Sequence, residues 1–147
     1  MRKSEVKPVM RAPGQAPEAY YYLGRFIEDC LRIRSQHFRS REEMSWRLNR
    51  LVIQYFGSLE EDGLLQRDMN RYYNGILKDL KQDYPRFTRR RILLFSYSAA
   101  RLPLSLICQL TGINSIGAVS CMKSKMKTVI SCHTCLRKEQ YLDLLSR

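Results

Sequence analysis

The chain predicts an all-α protein, and three observations carry that expectation. Apolar residues recur at spacings of three and four in one segment after another, and no run alternates apolar and polar residues over the length of a strand. The breaks between the periodic segments fall on residues that start or stop helices: Gly57-Ser58, Pro85, Thr88, Pro103 and Gly112. At 147 residues, 44% of them hydrophobic, the chain can hold one core or a small domain with an extended appendage. The expected organisation is a flexible tail over 1–17, a helical region over 18–83 suited to dimerisation, and a helix-turn-helix domain over 84–147.

Each element has its own reason. Met1 to Pro17 carries Pro8, Pro13, Gly14 and Pro17 among basic and small residues, the composition of a tail. From Glu18 to Arg34, the residues Tyr20, Leu23, Ile27, Cys30, Leu31 and Arg34 mark one helical face. Ser40 stands as N-cap of a second helix, with Glu43 three residues on in capping-box position. That helix runs to Phe56 on a stripe of Met44, Leu48, Leu51, Val52 and Tyr55, and is expected to pack with the first as a hairpin or across a dimer. The acidic Glu60-Glu61-Asp62 reads as a solvated turn.

A third helix is expected from Leu64 to Leu80, with Met69, Tyr72, Tyr73, Ile76, Leu77 and Leu80 as its apolar positions. It ends before Pro85, which disfavours helix at the residue preceding it. Thr88 caps the next helix, Arg89 to Ala100. Pro103 opens a short helix that closes at Thr111, and Asn114 or Ser115 caps a longer one reaching Ile130. Cys132 to Cys135 forms a loop, and Lys138 to Leu145 a last short helix.

Charge singles out the second half. The chain has a formal net charge of +12, and residues 84–147 hold 11 basic and only 2 acidic side chains. Such a balance implies a polyanionic partner. The two helices joined through Thr111-Gly112-Ile113-Asn114 have the form of a helix-turn-helix, a way to present a helix to the major groove of double-stranded DNA. Ile116, Val119, Met122, Met126 and Ile130 should face inward, onto Leu106, Ile107, Leu110, Ile92, Phe95 and Ala99. The opposite side carries Ala118, Ser120, Cys121, Lys123, Ser124, Lys125 and Lys127. Short side chains let the backbone approach base edges, while Lys123, Lys125, Lys127 and the guanidinium groups of Arg89, Arg90 and Arg91 reach phosphates. Asn114, Ser115, Ser120, Cys121 and Ser124 are the available base-edge contacts. This face holds no Arg or Gln, so sequence readout is expected to be modest.

From Tyr20 to Leu145 the chain also resembles the cytoplasmic output end of bacterial sensory regulators that finish in a LuxR-type helix-turn-helix. The matching stretches are Tyr72 to Phe87 (YYNGILKDLKQDYPRF), Ile92 to Leu110, Ser115 to Ile130 and the tail Glu139 to Leu145. The resemblance implies a transcription regulator that binds DNA, as a homodimer. The chain departs from that pattern at Met122, Thr128 and Val129, where basic or polar residues are usual. It departs again at Arg101-Leu102-Pro103-Leu104, which replaces a glycine-containing turn.

Other chemistries find less support. Cys132-His133-Thr134-Cys135 with Cys121 supplies the donors of a zinc site, but only one half-motif is present, so no metal and no cofactor is expected. The two histidines, His37 and His133, stand near no recognisable nucleophile, and Tyr141 lacks the framework of a strand-transfer enzyme. Neither enzyme activity nor a small-molecule substrate is expected. Tyr20-Tyr21-Tyr22 reads as a packing or dimer surface, and Trp46 as a packing residue. Five cysteines, an odd number, and the lack of an apolar leader point to a cytoplasmic protein. No stretch approaches the roughly 20 apolar residues of a membrane span. The competing expectation is a helical protein–protein adaptor that keeps the fold without binding DNA.

Overall fold

Among the described residues eight helices follow one another: α1 (Ala19–Arg34), α2 (Arg41–Phe56), α3 (Leu64–Tyr72), α4 (Ile76–Asp83), α5 (Arg89–Ala99), α6 (Leu104–Thr111), α7 (Ile116–Ser131) and α8 (Lys138–Leu145). The computed structural model describes residues 16–36 and 40–147, and among these there is no strand. Most of the expected tail and His37 lie outside the described residues. The all-α expectation holds, and one apolar cluster runs from Ala19 in α1 to Leu145 in α8.

α5 is the axis of the fold. Every side chain from Ile92 to Ala99 is buried, and the helix packs against α3, α4, α6, α7 and α8. A helix apolar around its circumference has to be enclosed by others. Two of its polar side chains are paired: Ser96 Oγ donates to Leu93 O at 2.7 Å, and Tyr97 OH donates to Phe56 O in α2, also at 2.7 Å.

That Phe56 carbonyl, at the end of α2, is part of a buried polar joint. Gln66 Nε2 donates to it at 2.9 Å and to Ser96 Oγ at 3.1 Å, while Gln66 Oε1 accepts from the Gly63 amide at 2.7 Å. The joint fastens the α2–α3 connection to α5. Gly63 is obligatory there, because a Cβ would stand 2.6 Å from Ile53 O and would also strike the Gly57 amide.

α1 and α2 form the expected antiparallel hairpin, but α1 turns a different face inward. Tyr22, Asp29 and Ile33 are buried, whereas Tyr20, Ile27 and Leu31 are 74%, 54% and 48% exposed. The reason lies in two polar side chains that apolar spacing passes over. Asp29 accepts from Tyr55 OH at 2.5 Å and pairs with Arg32, and Tyr22 OH donates to Asp68 at 2.7 Å in α3. Paired in this way, a carboxylate and a phenol can be buried. Trp46 is another correction: it is 61% exposed and is not a packing residue.

The single helix expected over Leu64 to Leu80 is two. The chain turns at Tyr73, with Asn74 at φ 56° and Gly75 at φ 77°, and α4 starts afresh at Ile76. The break is held from the far end of the sequence. Arg137 donates to Tyr73 O and Asn74 O, both at 2.8 Å, and pairs with Asp79 at 3.1 Å. The acidic turn is likewise more than a solvated loop, since Glu61 pairs with Arg50 at 3.1 Å and Asp62 with Arg89 at 2.8 Å.

Candidate nucleic-acid interface

Local signals shape the α6–α7 unit. Gly112 takes φ 74° and donates to Cys108 O at 2.9 Å, closing α6 in the left-handed conformation that glycine adopts without strain. Ser115 opens α7 as N-cap, its Oγ accepting from the Ala118 amide at 3.1 Å. The two helix axes are bent by 85° across this turn. No single described helix is long and apolar enough to cross a bilayer.

α7 is seated by Val119, Met126 and Ile130, all buried, with Met122 half-buried beside them. Two expected details differ. Ile116 is 48% exposed, because it lies at the helix start beyond the reach of the core. Leu106 and Leu110 of α6 turn toward the hairpin, where with Leu23, Phe26, Val52 and Phe56 they line an apolar groove of about 250 Å³. The buried residues of α6 are Ile107 and Thr111.

The outward side of α7 is divided into a neutral arc and two cationic flanks. At 100° per residue, Gly117, Ser120, Cys121, Ser124 and Thr128 occupy the arc opposite the buried stripe, and all are exposed. This arc is small and neutral. Lys125, also exposed, lies on one flank of it, while Lys123 and Lys127, both half-buried, lie on the other, next to the apolar stripe. Burial, and then the neighbouring Lys127 charge, lowers the Lys123 ammonium below the ordinary lysine value. Asn114 and Ser115 are exposed at the N-terminal end.

The three arginines of α5 divide as well. Arg90 is exposed and Arg91 half-exposed, and with Arg89, Thr88, Leu59 and Met122 of α7 they line an open cleft of about 490 Å³. Both can therefore serve the same surface as α7. Arg89 lines the same cleft but is tied down: Nε donates to Ser58 O at 3.0 Å, and the guanidinium pairs with Asp62. Arg89 is a clamp on the α2–α3 loop, a role its neighbours' charge concealed in the sequence.

In the cysteine loop Cys132, His133 and Thr134 are exposed, and half-buried Cys135 anchors it against Tyr84. Tyr84 stacks on Phe87, meets His133 edge-on, and lies 3.5 Å from Cys135 Sγ. Among the described residues, no three His, Cys, Asp or Glu side chains converge as a metal would require. The chain matches no protein-family model, no curated protein and no solved structure.

Proposed function

We propose that this protein is a DNA-binding transcription regulator of the LuxR-type helix-turn-helix class, with α7 entering the major groove of duplex DNA. The observation that carries the reading is the division of α7: a narrow, neutral, small-residue arc between lysines on both flanks. A groove is bounded by two phosphate walls with base edges at its floor. A helix with short side chains on its leading arc and cations to either side matches that cross-section. Arg90 and Arg91 extend the cationic flank along the Met122 side.

Contacts of this kind are mostly sequence-independent and strongly salt-dependent. Duplex DNA of arbitrary sequence should be retained at about 50 mM salt and released by about 200 mM. Exchanging Lys123 and Lys125 together for Glu should abolish retention, since it reverses charge on both flanks. A double variant that binds duplex as the natural chain does would refute the groove assignment.

A second reading is a helical adaptor that keeps this fold without DNA contact. It is favoured by the apolar side chains that α1 leaves in solvent, Tyr20, Ile27 and Leu31. Absence of any salt-sensitive retention would select it.

A further inference from the structure

α4 sorts its charges by face. Asp79 and Asp83 turn toward the start of α8, where Asp79 pairs with Arg137 at 3.1 Å and Asp83 accepts from Tyr141 OH at 2.7 Å. Lys78 and Lys81 lie on another side of the helix, both exposed, and neither forms an ion pair with a described residue. Like charges three residues apart on a helix oppose each other. The two lysines share one recess, a pocket of about 190 Å³ between α3, α4 and α5 that Asn70 and Arg89 also line.

The other polar walls offer donors as well. Asn70 Oδ1 accepts from the Leu77 amide at 2.8 Å, which fixes the carboxamide, and Nδ2 donates to no described residue. Arg89 Nη2 is sealed from solvent and, although 2.8 Å from Asp62, has no aligned hydrogen-bond acceptor. A buried donor in that state calls for a reason, and an oxygen from outside the chain supplies one. Asp62 is the single carboxylate of the lining. Lys78, Lys81 and Arg89 stand against it, a surplus of two positive charges. Leu77 and Ile92, both buried, complete the wall, and beside apolar groups these charges act more strongly than in open water.

We propose that this pocket binds one phosphoryl group, as inorganic phosphate or the head of a small phosphomonoester. Lys78 and Lys81 neutralise its charge, while Asn70 Nδ2 and the fixed Arg89 guanidinium direct its oxygens. At pH 8, above its second pKa of about 6, a phosphomonoester is a dianion, which matches the surplus. A duplex phosphodiester carries one charge and continues on both sides, so it suits the open cleft at Arg90 and Arg91 better than this recess. The proposal is independent of the regulator reading, which uses neither lysine.

Isothermal titration calorimetry of the full chain at pH 8 tests it, with inorganic phosphate and glycerol 3-phosphate as probes and chloride matching the ionic strength. One saturable site is expected, with Kd about 1 mM or tighter. Lys78→Ala, Lys81→Ala and Asn70→Asp should each weaken it about tenfold or more. Asn70→Asp keeps the oxygen that accepts from Leu77, so Tm without phosphate should stay close to that of the natural chain. Saturating phosphate should raise Tm in the natural chain and not in the double lysine variant. Lys123→Ala with Lys125→Ala should bind phosphate unchanged. No saturable binding up to about 10 mM would overturn the proposal. So would loss of binding in the Lys123 and Lys125 variant alone, which would put the anion on α7. If free phosphate is not bound but Lys78→Ala weakens duplex retention, the pocket takes a backbone phosphate and the small-ligand assignment falls. If phosphate binds as stated while duplex is never retained, only the regulator reading falls.

Discussion

Arg89 and Asp62 approach to 2.8 Å, an ion pair between the start of α5 and the loop before α3, and the same arginine donates to Ser58 O at 3.0 Å. Three consecutive arginines thus do two jobs. Arg89→Ala should lower stability by about 1 kcal/mol, the scale of a half-exposed pair plus one hydrogen bond. It should leave duplex retention as it was. Arg90→Ala should do the reverse. Urea unfolding alongside retention at low salt separates the two, and equal effects of both variants on retention would contradict the division.

Gln66 should be among the least replaceable polar residues of the fold. Its amide satisfies Phe56 O, Ser96 Oγ and the Gly63 amide in the buried joint between α2, α3 and α5. Gln66→Leu keeps the volume nearly constant but leaves the buried Gly63 N–H without its acceptor, at a cost of about 2–4 kcal/mol. Gly63→Ala should be at least as damaging, because its Cβ collides with backbone that cannot retreat. Denaturant midpoints check both, and a loss under about 1 kcal/mol in either would show that the joint relaxes.

Ser40, Thr88 and Ser115 each cap the helix they precede, accepting from the amides of Glu43, Arg91 and Ala118. A cap bonds an amide three residues on, so its signal is local and legible. The break at Tyr73–Gly75 is not local: Arg137, 64 residues from Tyr73, holds it. The inward face of α1 depends on Asp29 and Tyr22 finding Tyr55 and Asp68, which no periodicity within α1 records. At the candidate site, the inward stripe Val119, Met126 and Ile130 was legible. The clamp role of Arg89 was not, since three adjacent arginines are equivalent until the loop they meet is in place.

Alkaline pH should unfold the protein earlier than its tyrosine content alone implies. Burial raises the phenols of Tyr97, Tyr84, Tyr141 and Tyr55 above their ordinary value of 10.0. Hydrogen bonding to Cys135 at Tyr84 and to Asp83 at Tyr141 adds to the effect, whereas Arg25 opposes it at Tyr55. The folded state keeps protons that the unfolded chain releases above 10.0, so this stability is complete below that pH and is lost as pH rises beyond it. The urea midpoint should be level to about pH 9 and fall steeply above about pH 10. Tyr97→Phe should reduce the slope, and a midpoint indifferent to pH up to about 11 would count against buried protonated phenols.

The neutral arc of α7 offers a test that charge substitutions cannot. Lys125→Ala and Lys127→Ala each remove one cation, so each should lower the slope of log affinity against log salt by about 0.9 while some binding survives. Ser124→Phe removes no charge and lies in solvent, so stability should change by less than about 0.5 kcal/mol. If the arc meets the groove floor, a phenyl ring there holds the backbone off the base edges, and the flanking lysines lose their reach to both phosphate walls together. Retention should then collapse at every salt concentration, not merely become more salt-sensitive. A Ser124→Phe protein that binds duplex normally, while the lysine variants weaken, would mean that a cationic surface attracts DNA without α7 entering the groove.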